Sequence, residues 1–506
     1  MASDPPRIAP LDTHNLALLA KVHPPDWRNP TPAGRYNLVV VGGGTAGLVS
    51  AVGAAGLGAK VAIVERDLMG GDCLNFGCVP SKALIRSARA AADARSKPTL
   101  GVETPLVRTD FGVAMERMRR LRAELAQNDS ADRLRGLGVD VFIGDARFVA
   151  PDAVEVNGQR LSFRRAVIAT GARAAMLPIP GLAEVGCLTN ETVFSLTELP
   201  RRLAVIGAGP IGCELAQAMR RFGAEVTLLE VESQILIRED RDAAERVERS
   251  LRRDGVTIVT GCKIAAAGRN DAGKVLHLET NGVRSELAVS EILLGVGRAP
   301  NVDGLGMEAA GVEYDRAAGI KVNDYLRTTN PRIYAAGDCA SALKFTHLSD
   351  AHARIVLRNA LFLGKARVSA LTIPWCTYTD PEIAHVGLYA EEAGKRGIKV
   401  TTYVQEMNEV DRAVLDDQTE GFLKVHVKQG SDRIVGATMV ASHAGEMISE
   451  LTTAIAAGVG LGKLADVIHP YPTQAEAIRK IANQYNRTRL TPFAAKMFKR
   501  WFAWTR

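Results

Sequence analysis

Leu38-Val39-Val40-Val41-Gly42-Gly43-Gly44-Thr45-Ala46-Gly47 is the stretch on which the fold turns. Four aliphatic residues read as a buried strand, the glycines as a tight turn and the small residues beyond as a helix, until Lys60-Val61-Ala62-Ile63-Val64-Glu65 restores strand character. This is G-x-G-x-x-G in its βαβ setting. Gly42 permits the turn, Gly44 lets the backbone approach a pyrophosphate, and Gly47 packs helix closely on strand. Thr45 and Ala46 open the helix, whose N-terminal amides favour phosphate. Glu65, closing the second strand, is placed to accept hydrogen bonds from a ribose diol.

The same device recurs. Leu203-Ala204-Val205-Ile206 leads into Gly207-Ala208-Gly209-Pro210-Ile211-Gly212, and Val226-Thr227-Leu228-Leu229-Glu230 supplies the second strand. In both copies the acidic residue lies 23 positions beyond the first glycine. One such motif is a weak sign, but two with strand, helix and carboxylate in register predict an α/β protein with two Rossmann-like dinucleotide-binding domains.

At 506 residues the chain has room for about three domains, and its 47% hydrophobic content supports several cores. The net charge of +7 comes from 63 basic and 56 acidic residues, a mildly basic balance that gives little reason to invoke nucleic acid. Residues 38 to 59 carry no charge, yet the seven glycines among them match a phosphate turn and its helix better than a membrane span. Leu16-Ala17-Leu18-Leu19-Ala20 is too short for the apolar core of a secretory signal, so a cytoplasmic location is expected.

Seven cysteines are too few for a secreted disulfide framework, and neither paired C-x2-C motifs nor H-E-x-x-H occurs, so no metal site is expected. Cys187, Cys213, Cys262, Cys339 and Cys376 stand alone in sequence and read mostly as buried, inert thiols. Gly70-Gly71-Asp72-Cys73-Leu74-Asn75-Phe76-Gly77-Cys78-Val79-Pro80-Ser81-Lys82 is different. Its two thiols could close a small reducible disulfide if the turn folds tightly, and a helix beginning near Cys73 would present a positive end that stabilises a thiolate. The spacing alone also suits a structural bridge or half a metal site. In a reducing compartment a catalytic disulfide is the stronger reading.

Residues 1–35 form a proline-containing N-terminal extension, read as an extended or loose arm. The first nucleotide domain spans 36–185 and ends in a strand followed by the Ala169-Thr170-Gly171 turn. Residues 186–300 make the second nucleotide domain, and 301–371 return to the first through Ile333-Tyr334-Ala335-Ala336-Gly337-Asp338, whose carboxylate can accept from a polyol. Alternating strands and then long helices over 372–490 predict an α+β domain, and 491–506 form a basic, aromatic tail.

Together these residues resemble the class I pyridine nucleotide-disulfide oxidoreductases, the flavoprotein family of dihydrolipoamide dehydrogenase, glutathione reductase and mercuric reductase. The likeness covers residues 36 to about 480. It rests on both glycine turns, Cys73 and Cys78 before Val79-Pro80-Ser81-Lys82, the Ala169-Thr170-Gly171 turn, Gly297-Arg298-Ala299-Pro300-Asn301 and Ala336-Gly337-Asp338. It implies FAD in the first nucleotide domain, NADH (or NADPH) in the second, and a homodimer paired through residues 372–490. It further implies that Cys78 faces the flavin as a thiolate while Cys73 exchanges with substrate, and that Lys82 pairs with Glu214 near flavin N5. Asp338 would hold the ribityl chain and Ala146 the adenine edge, with Gly71, Gly297 and Arg298 among the cofactor contacts. Glu230 would repel a 2′-phosphate, which favours NADH.

The chain departs from the family in one segment. Dithiol members use His-Pro-Thr-x-x-Glu, given by the partner subunit, with the His as acid/base. Here the sequence is His469-Pro470-Tyr471-Pro472-Thr473-Gln474-Ala475-Glu476. If Pro472-Thr473 and Glu476 keep their places, Tyr471 takes the His position and His469 is displaced by two. A phenol is a poor base at neutral pH, so His469, brought in by a shifted turn, is the expected base unless none is present. His469, Tyr471 and Glu476 of one subunit are expected to approach Cys73 of the other. Tyr471 is what mercuric reductase resembles, but those enzymes hold Hg(II) with a second cysteine pair near the C-terminus, and the last cysteine here is Cys376. The N-terminal C-x2-C module of those enzymes is also missing. The sequence therefore predicts an NAD(P)H oxidoreductase for a small disulfide, thiol-linked or soft-metal substrate. Mercuric reductase, dihydrolipoamide dehydrogenase and a non-turnover FAD/NAD redox sensor are the alternatives. For the tail, Phe493, Met497, Trp501 and Trp504 at helical spacing predict a helix that either docks on the dimer domain or makes a weak contact with a membrane surface.

Overall fold

Val39, Val40 and Val41 are covered on both faces, which is why a run without polar alternation forms the Tyr36–Val41 strand inside a parallel sheet. The protein is described by a computed structural model over residues 8–506, apart from Ser96, Ala272 and Leu363; residues 1–7 of the predicted arm lie outside the described residues. Val139–Ile143, Val61–Glu65, Tyr36–Val41 and Gln159–Ile168 run parallel in that order, and Ile333–Ala335 adds to the last of them. Ala153–Val156 and Ala146–Ala150 extend the sheet antiparallel. Val41 pairs with both Val64 and Ile168. That register brings the Gly42 turn, the Ala169 turn and the Gly337–Cys339 turn to one edge, the carboxyl ends of the strands, where open α/β sheets bind ligands.

The second βαβ unit repeats this plan. Thr257–Val259, Glu225–Leu229, Arg202–Ile206 and Glu291–Leu294 form a four-stranded parallel sheet, and Pro at the first position starts the Pro210–Phe222 helix. A three-stranded antiparallel sheet, Cys262–Asn270, Gly273–Thr280 and Val283–Val289, shares its core through Leu276, Leu278 and Val289.

The described residues fall into two compact units, the first drawing on the stretches Met1–Ser96, Thr104–Val231 and Val256–Ala370, the second on Lys97–Glu103, Glu232–Gly255 and Leu371–Arg506. In the second, Pro374–Thr377, Glu382–Gly387, Ile434–Ala441, Phe422–Lys428 and Val400–Glu406 make an antiparallel sheet. The Ala444–Ala457 and Glu476–Thr488 helices bury Ile448, Leu451, Ile478 and Ile481 against Leu423, Val425 and Met439. Two Rossmann-like domains and a C-terminal α+β domain are thus the architecture.

Two readings from sequence are corrected. The N-terminal extension contains a helix, Thr13–Val22, capped by Asp12 accepting from the Asn15 amide at 2.8 Å. It buries Asn15, Leu18, Leu19 and Val22, a helical spacing overlooked among the prolines. The tail is a helix over Pro492–Trp504, capped by Thr491, but it buries none of its residues, so among the described residues of its own chain nothing covers its aromatic face.

Candidate active site

The first glycine turn has no room for a side chain at its first and last glycines. Gly42 has φ +110, and a Cβ there would fall 2.3 Å from the Ala169 carbonyl oxygen; one on Gly47 would fall 1.8 Å from that of Gly42. Gly44 caps the Thr45–Gly56 helix without a side-chain bond, so the amides of Thr45 and Ala46 stay available at its positive end. Gly207 and Gly212 repeat the arrangement, with a Cβ on Gly212 only 1.9 Å from the Gly207 oxygen and Gly209 capping Pro210 and Ile211. These two cradles, whose turn and packing glycines (Gly42 and Gly47, Gly207 and Gly212) leave no room for a Cβ, fit dinucleotide pyrophosphates. Each acidic residue bonds its own turn. Glu65 accepts from the Gly43 amide at 2.5 Å and the Asp67 amide at 2.8 Å, and Glu230 accepts from Ala208 at 2.6 Å.

The redox turn packs directly on this cradle. Gly71, with φ +57, leaves its missing Cβ 2.6 Å from the Gly44 Cα, so only glycine lets the two loops meet. The expected helix near Cys73 is a single short one, Gly71–Asn75; the chain breaks at Phe76-Gly77 and the long helix, Cys78–Asp93, begins at Cys78 itself. Cys78, rather than Cys73, therefore receives the helix N-terminus. Sequence spacing could not show where the break falls.

Both thiols are free and hydrogen-bonded to each other, and the Thr346 hydroxyl lies 3.6 Å from Cys78 Sγ. Hydrogen bonding from Cys73, reinforced by the Lys82 ammonium, lowers the Cys78 pKa to about 6. The shared bond and burial push Cys73 up, so the pair carries one thiolate, on Cys78. Lys82 Nζ donates to the buried Glu214 carboxylate at 2.7 Å, which fixes the ammonium one helical turn from Cys78. In Lys82→Gln, which keeps a donor for Glu214 but loses the charge, the Cys78 thiolate should form about one pH unit higher. Wild type loses this thiolate as pH falls through about 6, and the variant loses it sooner. Ultraviolet thiolate absorbance across a pH titration reads the midpoint, and an unmoved midpoint refutes the role of Lys82.

Arg298 links the turn to the sheet edge. It donates from Nη1 to Asp72 at 2.6 Å and from Nη2 to the Ala172 carbonyl at 2.8 Å, with Nε 3.7 Å from Asp338. Asn190 donates to the other Asp72 oxygen at 2.8 Å. Gly297, at φ +108, makes the bend that aims Arg298 inward. Burial raises the Asp338 carboxyl, opposed by Arg298 and Lys344. Thr170 donates to the Asn301 carbonyl at 2.6 Å, and Gly171 turns at φ +69. Ala146 opens the outermost strand, paired with Val156.

Sequence reasoning missed Arg122. Its Nη1 donates to the Asn75 carbonyl at 2.6 Å, within the redox turn, and its Nη2 to Asn15 Oδ1 at 2.8 Å, on the N-terminal helix. An arginine on a helix face gives no sign of burial; a buried Asn facing it is visible only in three dimensions.

In the second unit, His469 and Tyr471 have opposite surroundings. The His469 side chain is 5% exposed, with Nε2 3.1 Å from Glu450, whereas Tyr471 is 71% exposed. The Tyr471 hydroxyl donates to Asp411 at 3.0 Å, an interaction that raises its pKa. Glu476 is buried and accepts from Arg479 at 2.6 Å, while its Oε2 has no partner among the described residues. Among the described residues no cluster of three or more His, Cys, Asp or Glu is gathered to hold a metal, and no helix is long and apolar enough to cross a membrane.

A dithiol turn seated on one dinucleotide cradle, beside a second cradle, defines a nicotinamide-dependent thiol redox enzyme. Residues 36–353 match the pyridine nucleotide-disulphide oxidoreductase model and residues 373–482 that family's dimerisation domain, so the chain belongs to this family, uses FAD with NAD(P)H as electron donor, and pairs as a homodimer. Among its relatives, mercuric reductase of Staphylococcus aureus is 34% identical over 454 residues, covering 90% of this chain and 83% of that one. Dihydrolipoyl dehydrogenase of Bacillus subtilis is 31% identical over 465 residues, covering 89% and 98%. The solved HOCl-induced flavoprotein disulfide reductase RclA from Escherichia coli superposes with a TM-score of 0.78 at 28% identity, over 88% of this chain and 99% of that one.

Proposed function

We propose that this protein is an NADH-dependent reductase of a small disulfide or thiol-linked substrate, with Cys73 as the exchanging thiol. The thiolate held on Cys78 beside Lys82 carries the reading. Bound FAD would supply the two-electron relay between nicotinamide and cysteine pair. Gly42, Gly44, Thr45, Ala46, Gly47, Glu65, Gly71, Ala146, Ala169, Thr170, Gly171, Gly297, Arg298 and Asp338 would hold it, and Gly207, Gly209, Pro210, Ile211, Gly212 and Glu230 the nicotinamide nucleotide.

With the pair reduced, Cys73 attacks a substrate disulfide as its proton passes to water, from which the proton donor to the leaving group is later recharged. A bond forms between Cys73 and one substrate sulfur, and the other leaves as a thiolate that takes a proton. The Cys78 thiolate then attacks Cys73, restoring their disulfide and expelling the second substrate thiolate. Two electrons pass from the pair to the substrate. Thr346 orients the sulfurs, and Tyr471 of a second copy supplies a proton to the leaving thiolate, with Glu476 supporting that segment. His469, turned to Glu450, is the weaker donor.

Anaerobic reduction with NADH followed by titration with lipoamide, other small disulfides and Hg(II) tests the reading: a small disulfide should reoxidise the enzyme fastest. Mercuric reduction is the second reading, favoured by the exposed Tyr471, and Hg(II) as the fastest acceptor would establish it. Failure of every acceptor after complete reduction would leave the sensor role.

Glu230 directly follows the Glu225–Leu229 strand, where a carboxylate repels a 2′-phosphate. The kcat/KM for NADH should exceed that for NADPH by about tenfold or more, and a clear NADPH preference overturns the assignment.

A further inference from the structure

The Pro492–Trp504 helix combines three properties. Its large apolar side chains are exposed: Phe493 and Trp504 at 77%, Phe502 at 60%, Trp501 at 55%, with Met497 and Phe498 close behind. At about 100° per residue these side chains and Ala494 and Ala495 occupy one arc of roughly 200°, while Lys496, Lys499 and Arg500 fill the remaining side. From Thr491 to Arg506 there is no acidic residue.

A helix so divided is costly to leave in water, because soluble surfaces rarely gather this much contiguous apolar area. A second copy of itself is a poor cover. The arc is wider than a two-helix seam, and the flanking cations would face cations with no acid to pair them. A surface with a soft apolar interior and anionic groups above it matches both faces at once. Thirteen residues span only about 20 Å as a helix, short of the ~30 Å hydrocarbon core, so the helix lies on such a surface and does not cross it. Trp501 and Trp504, with ring centroids 5.4 Å apart, supply the amphipathic rings that settle at headgroup depth.

We infer that residues 491–506 form an interfacial helix that seats this reductase on anionic phospholipid. Cations contribute by electrostatic attraction and aromatics by burial, so the two should be separable.

The test uses the full chain with FAD and vesicles of phosphatidylcholine, alone or mixed with phosphatidylglycerol. Wild type should co-sediment with the mixed vesicles, be released by salt, and show a blue shift in tryptophan emission. K499Q/R500Q should weaken binding roughly 30-fold. W501A/W504A should weaken binding to both vesicle types and abolish the shift. NADH-driven reduction of an artificial acceptor serves as the folding control and should be unchanged in both variants. Absence of co-sedimentation by the intact protein overturns the inference, as does binding that neither pair of substitutions alters. Dissociation of the homodimer in W501A/W504A, without lipid binding by wild type, would instead make the helix part of the subunit interface.

Discussion

Cys73→Ser should reduce turnover of any disulfide substrate by on the order of 10³-fold or more, with reduction of bound FAD by NADH nearly intact. The substitution removes the sulfur that forms the mixed disulfide, while Lys82, Glu214 and the helix start at Cys78 stay in place. Cys78→Ser should give the complementary result. Two-electron reduction of wild type should give a long-wavelength thiolate–flavin band, and that band should vanish in Cys78→Ser, because the thiolate favoured by the helix terminus and Lys82 is gone. A band that survives Cys78→Ser, or one lost in Cys73→Ser alone, would reverse the two roles.

The second large effect concerns the altered C-terminal segment. Tyr471→Phe should slow the thiol-exchange half-reaction by about 10²-fold without changing the NADH half-reaction, the usual scale of a lost general acid. His469→Ala should change it little, since that imidazole is occupied by Glu450, and Glu450 is exposed enough to hydrate when left alone. The pH profile supplies a second readout. The Asp411 carboxylate raises the Tyr471 pKa, so a phenol donor keeps its proton throughout the neutral range. Imidazole, unlike a phenol, is a side chain whose charge can change between about pH 5 and 8. A profile that falls through that region and disappears in His469→Ala would assign the proton to His469.

The two nucleotide folds were legible because their determinants are local: glycines at fixed offsets, with strands and carboxylates in register. Lys82 and Glu214 stand 132 positions apart, and no spacing rule joins them; only likeness to a family suggested the pair that the structure places at 2.7 Å. Asp72, Arg298 and Asp338 form a cluster from three distant segments, and sequence gave no sign that Arg298 reaches the residue beside Cys73. The start of the Cys78 helix depended on a backbone break at Gly77, a conformational choice that composition does not encode. The N-terminal helix was hidden by prolines on either side of a short amphipathic run.

That helix changes what counts as the working part of the molecule. A version trimmed to begin at residue 36 would retain both glycine turns, both cysteines and the whole dimerisation match, and by every motif would look intact. It would also strip Asn15 from Arg122 and Asp12 from Arg119, leaving two guanidinium groups under-paired, one of them the group bonded to the Asn75 carbonyl in the Cys73 loop. The motif-free leader is in this sense a splint for the turn that carries Cys73.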